Sequence, residues 1–326
     1  MLFGTTRTDT TTSRPDGRIA WKAACAGAGA VLLAGAAAPA AHADDEAGTG
    51  PGTVCVSETR PEAAALLSAV VEAVAKERAG DLAVGVTAYG GDLTCDYQAQ
   101  KGFDAASVGK VLVLATLLRT AQEEGRALTP REDALATEMI TVSDNDATVE
   151  LRLQLGRERM QEFLDLAGMS GTVLHPDDFI GLMKITATDQ LRLLDLVVSD
   201  NDVLGEEQRA YARSLMGGVV ESQRWGVPAG APEDARVHLK NGWLPYDGTD
   251  VWRVNSIGAF ESPAAGSYRI AVLTDQNPGM AHGVESIELV AVAVHAALNG
   301  TSPSPGGSVF SGPGLLGTAS DGSDRA

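Results

Sequence analysis

Phe103-Asp-Ala-Ala-Ser107-Val-Gly-Lys110-Val-Leu-Val-Leu-Ala-Thr-Leu-Leu118 is the stretch on which the reading of this chain turns. From Val111 to Leu118 it is apolar nearly all round, which predicts a buried helix. Ser107 and Lys110 are three residues apart, so on that helix their side chains leave one face a turn apart. Burial disfavours the charged form of a lysine, so a lysine held beside a hydroxyl can lose its proton near neutral pH and act as its base. The plainer alternative is a serine that caps the helix and a lysine that reaches water. A lysine in the first turn of so apolar a helix needs a partner, which favours a nucleophile and its base.

The same stretch divides the chain. Upstream, Leu66, Leu67, Val70, Val71 and Val74 recur at helical spacing within residues 61–78. Residues 82–89 alternate as a strand, Gly90-Gly91 turns, and residues 93–97 return. Downstream the pattern becomes helical over residues 132–139, 146–155, 158–166, 188–198 and 206–220. Strands resume at 236–240, 251–260 and 268–274, and a closing helix over 285–298 stops at Gly300. The expected class is α+β, with a helical insertion between two halves of a sheet.

Two more short segments carry polar groups of the right kind. Ser143-Asp144-Asn145 offers a second hydroxyl, and it has a twin in Ser199-Asp200-Asn201. Both are also what helix caps and turns look like. The second follows one predicted helix and precedes another, so it reads as an interhelical turn. Lys240-Asn241-Gly242 offers a second lysine, although Asn-Gly between apolar residues is equally a hairpin signal. Val237 and Leu239 lead in, and a better turn waits at Tyr246-Asp247-Gly248.

In this order, Ser107-x-x-Lys110, Ser143-Asp144-Asn145 and Lys240-Asn241-Gly242 resemble the S-x-x-K, S-D-N and K-T-G signature of class A β-lactamases and penicillin-binding proteins. Asn241 departs from it, since threonine is usual there. The resemblance spans about residues 60–300 and implies the β-lactamase fold: a five-stranded antiparallel sheet flanked by helices, plus an all-helical lobe. An α/β lobe is then expected over about residues 55–104 and 221–300, and the helical lobe over about 105–220. The resemblance also implies roles: Ser107 as nucleophile, Lys110 as its base and Ser143 as proton relay. Asn145 and Gly242 would bind substrate and Lys240 and Asn241 its carboxylate, with the N–H groups of Ser107 and Trp243 as oxyanion hole and Arg253 as a further carboxylate contact.

One absence qualifies this. Class A β-lactamases carry a water-activating glutamate between the second and third motifs, and here no glutamate occurs between Glu162 and Glu206. Only Asp177 and Asp178 stand in the corresponding short stretch. The expectation is an acyl-serine hydrolase of amides, lactams or esters with weak β-lactamase turnover. Alternatives are a binding protein for β-lactams or peptidoglycan that does not turn over, and a D-Ala-D-Ala peptidase.

Composition sets the surroundings. Arg7, Arg14, Arg18 and Lys22 precede an Ala/Gly/Leu-rich run and Ala41-His42-Ala43, the layout of a signal peptide over residues 1–43. So Ala-rich a run would partition weakly into lipid, and a stable membrane anchor is not expected. Export leaves Cys55 and Cys95, and an even pair outside the cytoplasm reads as a disulfide. Closing a loop of about 40 residues, it is worth roughly 4 kcal/mol when unstrained. Net charge is −18, with 43 acidic residues against 25 basic, which repels nucleic acid. Two cysteines and scattered histidines make no metal-ligand set, so no cofactor is expected. The expected molecule is a secreted monomer acting on a small-molecule or peptidoglycan-derived substrate, with a disordered Ser/Pro/Gly-rich tail over residues 301–326.

Overall fold

The structure is a computed structural model that describes residues 54–300. The leader and the tail read from the sequence lie outside the described residues. Helix α1 (Pro61–Glu77) starts on a proline, whose fixed φ suits a first helical turn, and buries Ala64, Leu67, Val71 and Val74. Strands β2 (Asp81–Ala88) and β3 (Leu93–Tyr97) form the hairpin turned by Gly90-Gly91. Strands β6 (Arg236–Pro245), β7 (Val251–Ser262) and β8 (Gly266–Pro278) follow the helical insertion, and α7 (Met280–Asn299) closes the chain.

The sheet order is β1-β3-β2-β8-β7-β6, antiparallel throughout. It therefore has six strands, not the expected five. The addition is β1 (Cys55–Val56), two residues too short to show alternation in a sequence. What places it is the bond: Cys55 lies opposite Cys95 of β3, and a disulfide joins them.

Both faces of the sheet are covered. Against one, α1 and α7 pack Leu67, Val71, Val290 and Val294 onto Val84, Val86, Ile270 and Val272. Against the other lie α5 (Ala187–Val198) and α6 (Glu206–Gly217), which contribute Leu194 and Met216. Behind them α2 (Lys110–Glu123), eleven of whose fourteen residues are buried, packs among α3 (Pro130–Thr141), α4 (Asn145–Leu166) and α6, with Met139 and Leu151 around it. The two helices expected over 146–155 and 158–166 belong to one element that breaks at Gly156, whose φ of 75° and ψ of 164° are open to glycine alone without strain.

Two details aim the polar segments. Strand β4 (Phe103–Asp104) pairs with β5 (Lys184–Ile185) in a small separate sheet just before Ser107. Strand β6 runs straight through Asn241-Gly242, and the turn falls at Tyr246-Asp247-Gly248. The hairpin alternative for Lys240-Asn241-Gly242 is thereby resolved in favour of a strand.

Candidate active site

Ser107 is positioned by what grips the chain ahead of it. Both carboxylate oxygens of Asp104 are occupied, one by Lys184 Nζ at 2.5 Å and one by Arg253 Nε at 2.6 Å. From β7, Asn255 Nδ2 donates to the carbonyls of Asp104 (2.8 Å) and Ala105 (3.1 Å), and its Oδ1 accepts from Thr274 N at 3.1 Å. The chain then passes through Ala106 at φ 45°, an uncommon conformation for a residue with a Cβ. A single 3₁₀ turn, Ala106–Gly109, leads into α2. Ser107 and Lys110 are both fully buried at that junction.

Lys110 points at the start of α4. Its Nζ donates to the Ser143 carbonyl at 2.7 Å, to Ser143 Oγ at 3.2 Å and to Asn145 Oδ1 at 2.7 Å. The segment that presents these groups is fixed locally. Asp144 caps α4 by accepting from Ala147 N at 2.7 Å, and Ser143 sits at φ 62°. From β6, Lys240 Nζ donates to the same Ser143 hydroxyl at 3.0 Å and to the Asn241 carbonyl at 3.0 Å. One hydroxyl thus lies between two buried lysines. Complete burial, and then the neighbouring charge of Lys110, hold the Lys240 ammonium well below the usual lysine range. A hydroxyl set between two amines that cannot comfortably both be charged is a short path for a proton.

Gly242 explains how β6 comes so near. A Cβ there would lie 2.6 Å from the Ser107 nitrogen and 2.8 Å from that of Val108, so any side chain would push the strand away. Its neighbours Asn241 and Trp243 face the opposite side of the strand. Asn241 Nδ2 donates to the carbonyls of Gln223 (2.8 Å) and Trp225 (2.7 Å), and Trp243 meets Trp225 edge-on at 5.9 Å. The segment so held also reaches the Ser143 side, where Gln223 Nε2 donates to the Val142 carbonyl at 3.0 Å.

The structure brings Ser107, Lys110, Ser143, Asn145, Lys240 and Gly242 together. Arg253 stands apart from them: it is paired with Asp104 and lies over the Tyr246 ring at 3.5 Å, a support for the strand ahead of Ser107. Asn241 is turned to Gln223 and Trp225. Asp178 is bonded to Arg157 at 2.6 Å, and the Asp177 side chain is 74% exposed. Two apolar side chains pack on the Ser107 turn, since a Cβ on Gly109 would touch Met183 Cε and Ile180 Cγ2. The sequence reading missed Asp104, Lys184 and Asn255. Only Asn255 left a trace, as a polar residue inside the otherwise buried β7.

The beta-lactamase enzyme family model matches residues 130–298, which takes in Ser143 and Lys240 and begins after Ser107. A search of the curated proteins finds no match. Among solved structures, a class A beta-lactamase from Bacteroides cellulosilyticus aligns with a TM-score of 0.64 at 17% identity, covering 72% of this chain and 98% of that one. A beta-lactamase from Sphaerobacter thermophilus aligns at 0.62 and 22% identity, covering 73% and 98%. A PBP-A mutant, solved as an acyl-enzyme complex with penicillin G, aligns at 0.61 and 19% identity, covering 71% and 95%. These likenesses carry the fold, and the family match, which extends over just over half of the sequence, carries the classification: the chain belongs to the beta-lactamase enzyme family.

Proposed function

We propose that this protein is an exported acyl-serine hydrolase in which acylation outruns deacylation. Ser107 attacks an amide, lactam or ester carbonyl while Lys110, as the free amine with its two N–H bonds directed to the Ser143 carbonyl and Asn145 Oδ1, takes the proton on its lone pair. Ser143, then hydrogen-bonded by both Lys110 and Lys240, passes a proton to the leaving atom. The N–H groups of Ser107 and Trp243 stabilise the oxyanion. The observation that carries this reading is the Ser143 hydroxyl set between two buried lysines, under a strand that only a glycine lets approach Ser107.

Slow deacylation rests on the neighbours of the Ser107 turn. Freeing the enzyme requires a base that holds water against the ester. Ile180 and Met183 pack on that turn, while Asp178 is held by Arg157 and Asp177 faces solvent. The same features favour a second reading, a protein that is acylated and remains so as a binder. The PBP-A relative trapped as an acyl-enzyme with penicillin G gives a precedent for such an adduct on this fold. The test is intact mass after exposure to a penicillin and to a phosphonate serine probe, wild type against Ser107→Ala. An adduct that accumulates on wild type alone is expected. Labelling that survives Ser107→Ala, or fast penicillin hydrolysis with no adduct, refutes the corresponding part.

A further inference from the structure

Three groups were expected to receive a substrate carboxylate, and each is otherwise engaged. Arg253 is closed by Asp104 at 2.6 Å, by the Pro245 carbonyl at 3.2 Å and by the Tyr246 ring. Lys240 is fully buried and donates to Ser143 Oγ and the Asn241 carbonyl. Asn241 has its Nδ2 committed to two backbone carbonyls, which fixes the amide so that the acceptor, Oδ1, is the atom without a partner. Arg224, on the segment that Asn241 holds, turns to the Gly217 carbonyl at 3.2 Å.

The polar atoms that remain around Asn241 are neutral. Of the six buried side-chain atoms without a partner among the described residues, four belong to this cluster: Oδ1 of Asn241, Oε1 of Gln223, and Nε1 of Trp225 and Trp243. That is two acceptors and two donors, with no charge among them. A carboxylate brought here meets two amide-oxygen lone pairs against two neutral indole N–H donors, with no cation to offset its charge. To reach Asn241 Nδ2 it must displace two backbone carbonyls and leave them unpaired. An amide or ester meets no such repulsion, and an amide N–H can pair with the acceptors. The net charge of −18 acts in the same direction, slowing the encounter with an anion.

We infer that the natural substrate is a neutral amide or ester, with no carboxylate at the position where a penicillin carries its own. This rests on the acyl-serine reading above. In the step concerned, Ser107 Oγ forms a bond to the carbonyl carbon and the bond from that carbon to nitrogen or oxygen breaks. The Oγ proton leaves to Lys110, and the leaving atom receives one through Ser143. Water later cleaves the acyl ester to the free acid.

The experiment compares penicillin G with its methyl ester on the full chain. Both present the same lactam, and they differ only in the carboxylate. Acylation rate constants are read by intact mass, with Ser107→Ala as control. The ester is expected to acylate Ser107 at least as fast as the acid, and an acid faster than its ester overturns the inference while leaving the acyl-serine reading intact. If neither lactam reacts, p-nitrophenyl acetate decides. Ser107-dependent nitrophenol release supports the neutral-substrate inference, and silence from all three overturns the acyl-serine reading together with it. Asn241→Thr, which removes the amide that ties down Gln223 and Trp225, should raise the rate of the acid relative to the ester.

Discussion

Ser143-Asp144-Asn145 and Ser199-Asp200-Asn201 are the same three residues in two settings. At the first, the serine hydroxyl meets Lys110 and Lys240, and the asparagine oxygen accepts from Lys110. At the second, Asn201 ties a turn together. Its Nδ2 donates to the carbonyls of Leu196 and Ser199, and its Oδ1 accepts from Val203 N and Leu204 N. Asp200 is 97% exposed and pairs with Arg209. The first copy is buried between two lysines, whereas the second is a surface joint between α5 and α6. Chemistry comes to a tripeptide from what the fold packs against it.

The sharpest way to break this comparison is to remove each hydroxyl in turn. Ser143→Ala should slow acylation of Ser107 by about 10²–10⁴-fold, the usual contribution of a positioned proton relay. Ser199→Ala should leave the rate unchanged. The reverse outcome would assign the chemistry to the wrong copy.

The asparagines sharpen the contrast on a second scale. Asn201→Ala strips four hydrogen bonds from the α5–α6 turn and should cost about 1–3 kcal/mol of stability, with no change in acylation rate. Urea unfolding and probe labelling on the same preparation separate the two effects. A slower acylation by folded Asn201→Ala would couple the turn to the site.

Acid should loosen the helix that delivers the first copy. Glu132 sits in the capping box of α3, and its carboxylate, held by Arg126, by Thr129 N and by Gln154, is lowered to about 2. Its ordinary value is 4.5, so the unfolded chain takes up this proton first as pH falls. The stabilisation is complete above about pH 4.5 and is lost as pH drops through about 2. Glu132→Gln should lower stability at pH 7 by about 1–2 kcal/mol and flatten the acid slope. An unchanged slope in urea midpoints between pH 6 and pH 3 contradicts the account.

Much of this was legible in the sequence because each element obeyed its own period. The hairpin over 82–97, the apolar α2 and the three late strands stand where alternation and helical spacing put them. The Cys55–Cys95 pair comes from counting thiols. Three kinds of fact escaped. Two-residue strands such as β1, β4 and β5 have no period to read. The direction of a side chain at a strand's edge depends on its neighbours, so no sequence pattern showed that Asn241 Nδ2 is bonded to the Gln223 and Trp225 carbonyls. Long-range ion pairs leave no local mark, and Arg253 finds Asp104 from 149 residues away.

The smallest expected effect is at Ser199, and it tests the comparison from its quiet side. Ser199 ends α5, its N–H donating to the Asp195 carbonyl at 2.8 Å. Its hydroxyl donates to Asp195 Oδ1 at 2.8 Å and accepts from Arg269. Arg269 Nη2 reaches Asp195 Oδ1 directly at 2.5 Å, so the pair persists without the serine. The Asp195 carboxylate is 57% exposed, and water can replace the lost donor. Ser199→Ala therefore removes two hydrogen bonds whose partners both keep others, and the loss should not exceed about 1 kcal/mol. Asp195→Asn makes the complementary case, since it takes the charge from a guanidinium nine-tenths buried on β8 and should cost more than Ser199→Ala. Equal losses from the two variants would mean that the serine, not the carboxylate, holds Arg269, and that the second copy is more than a joint.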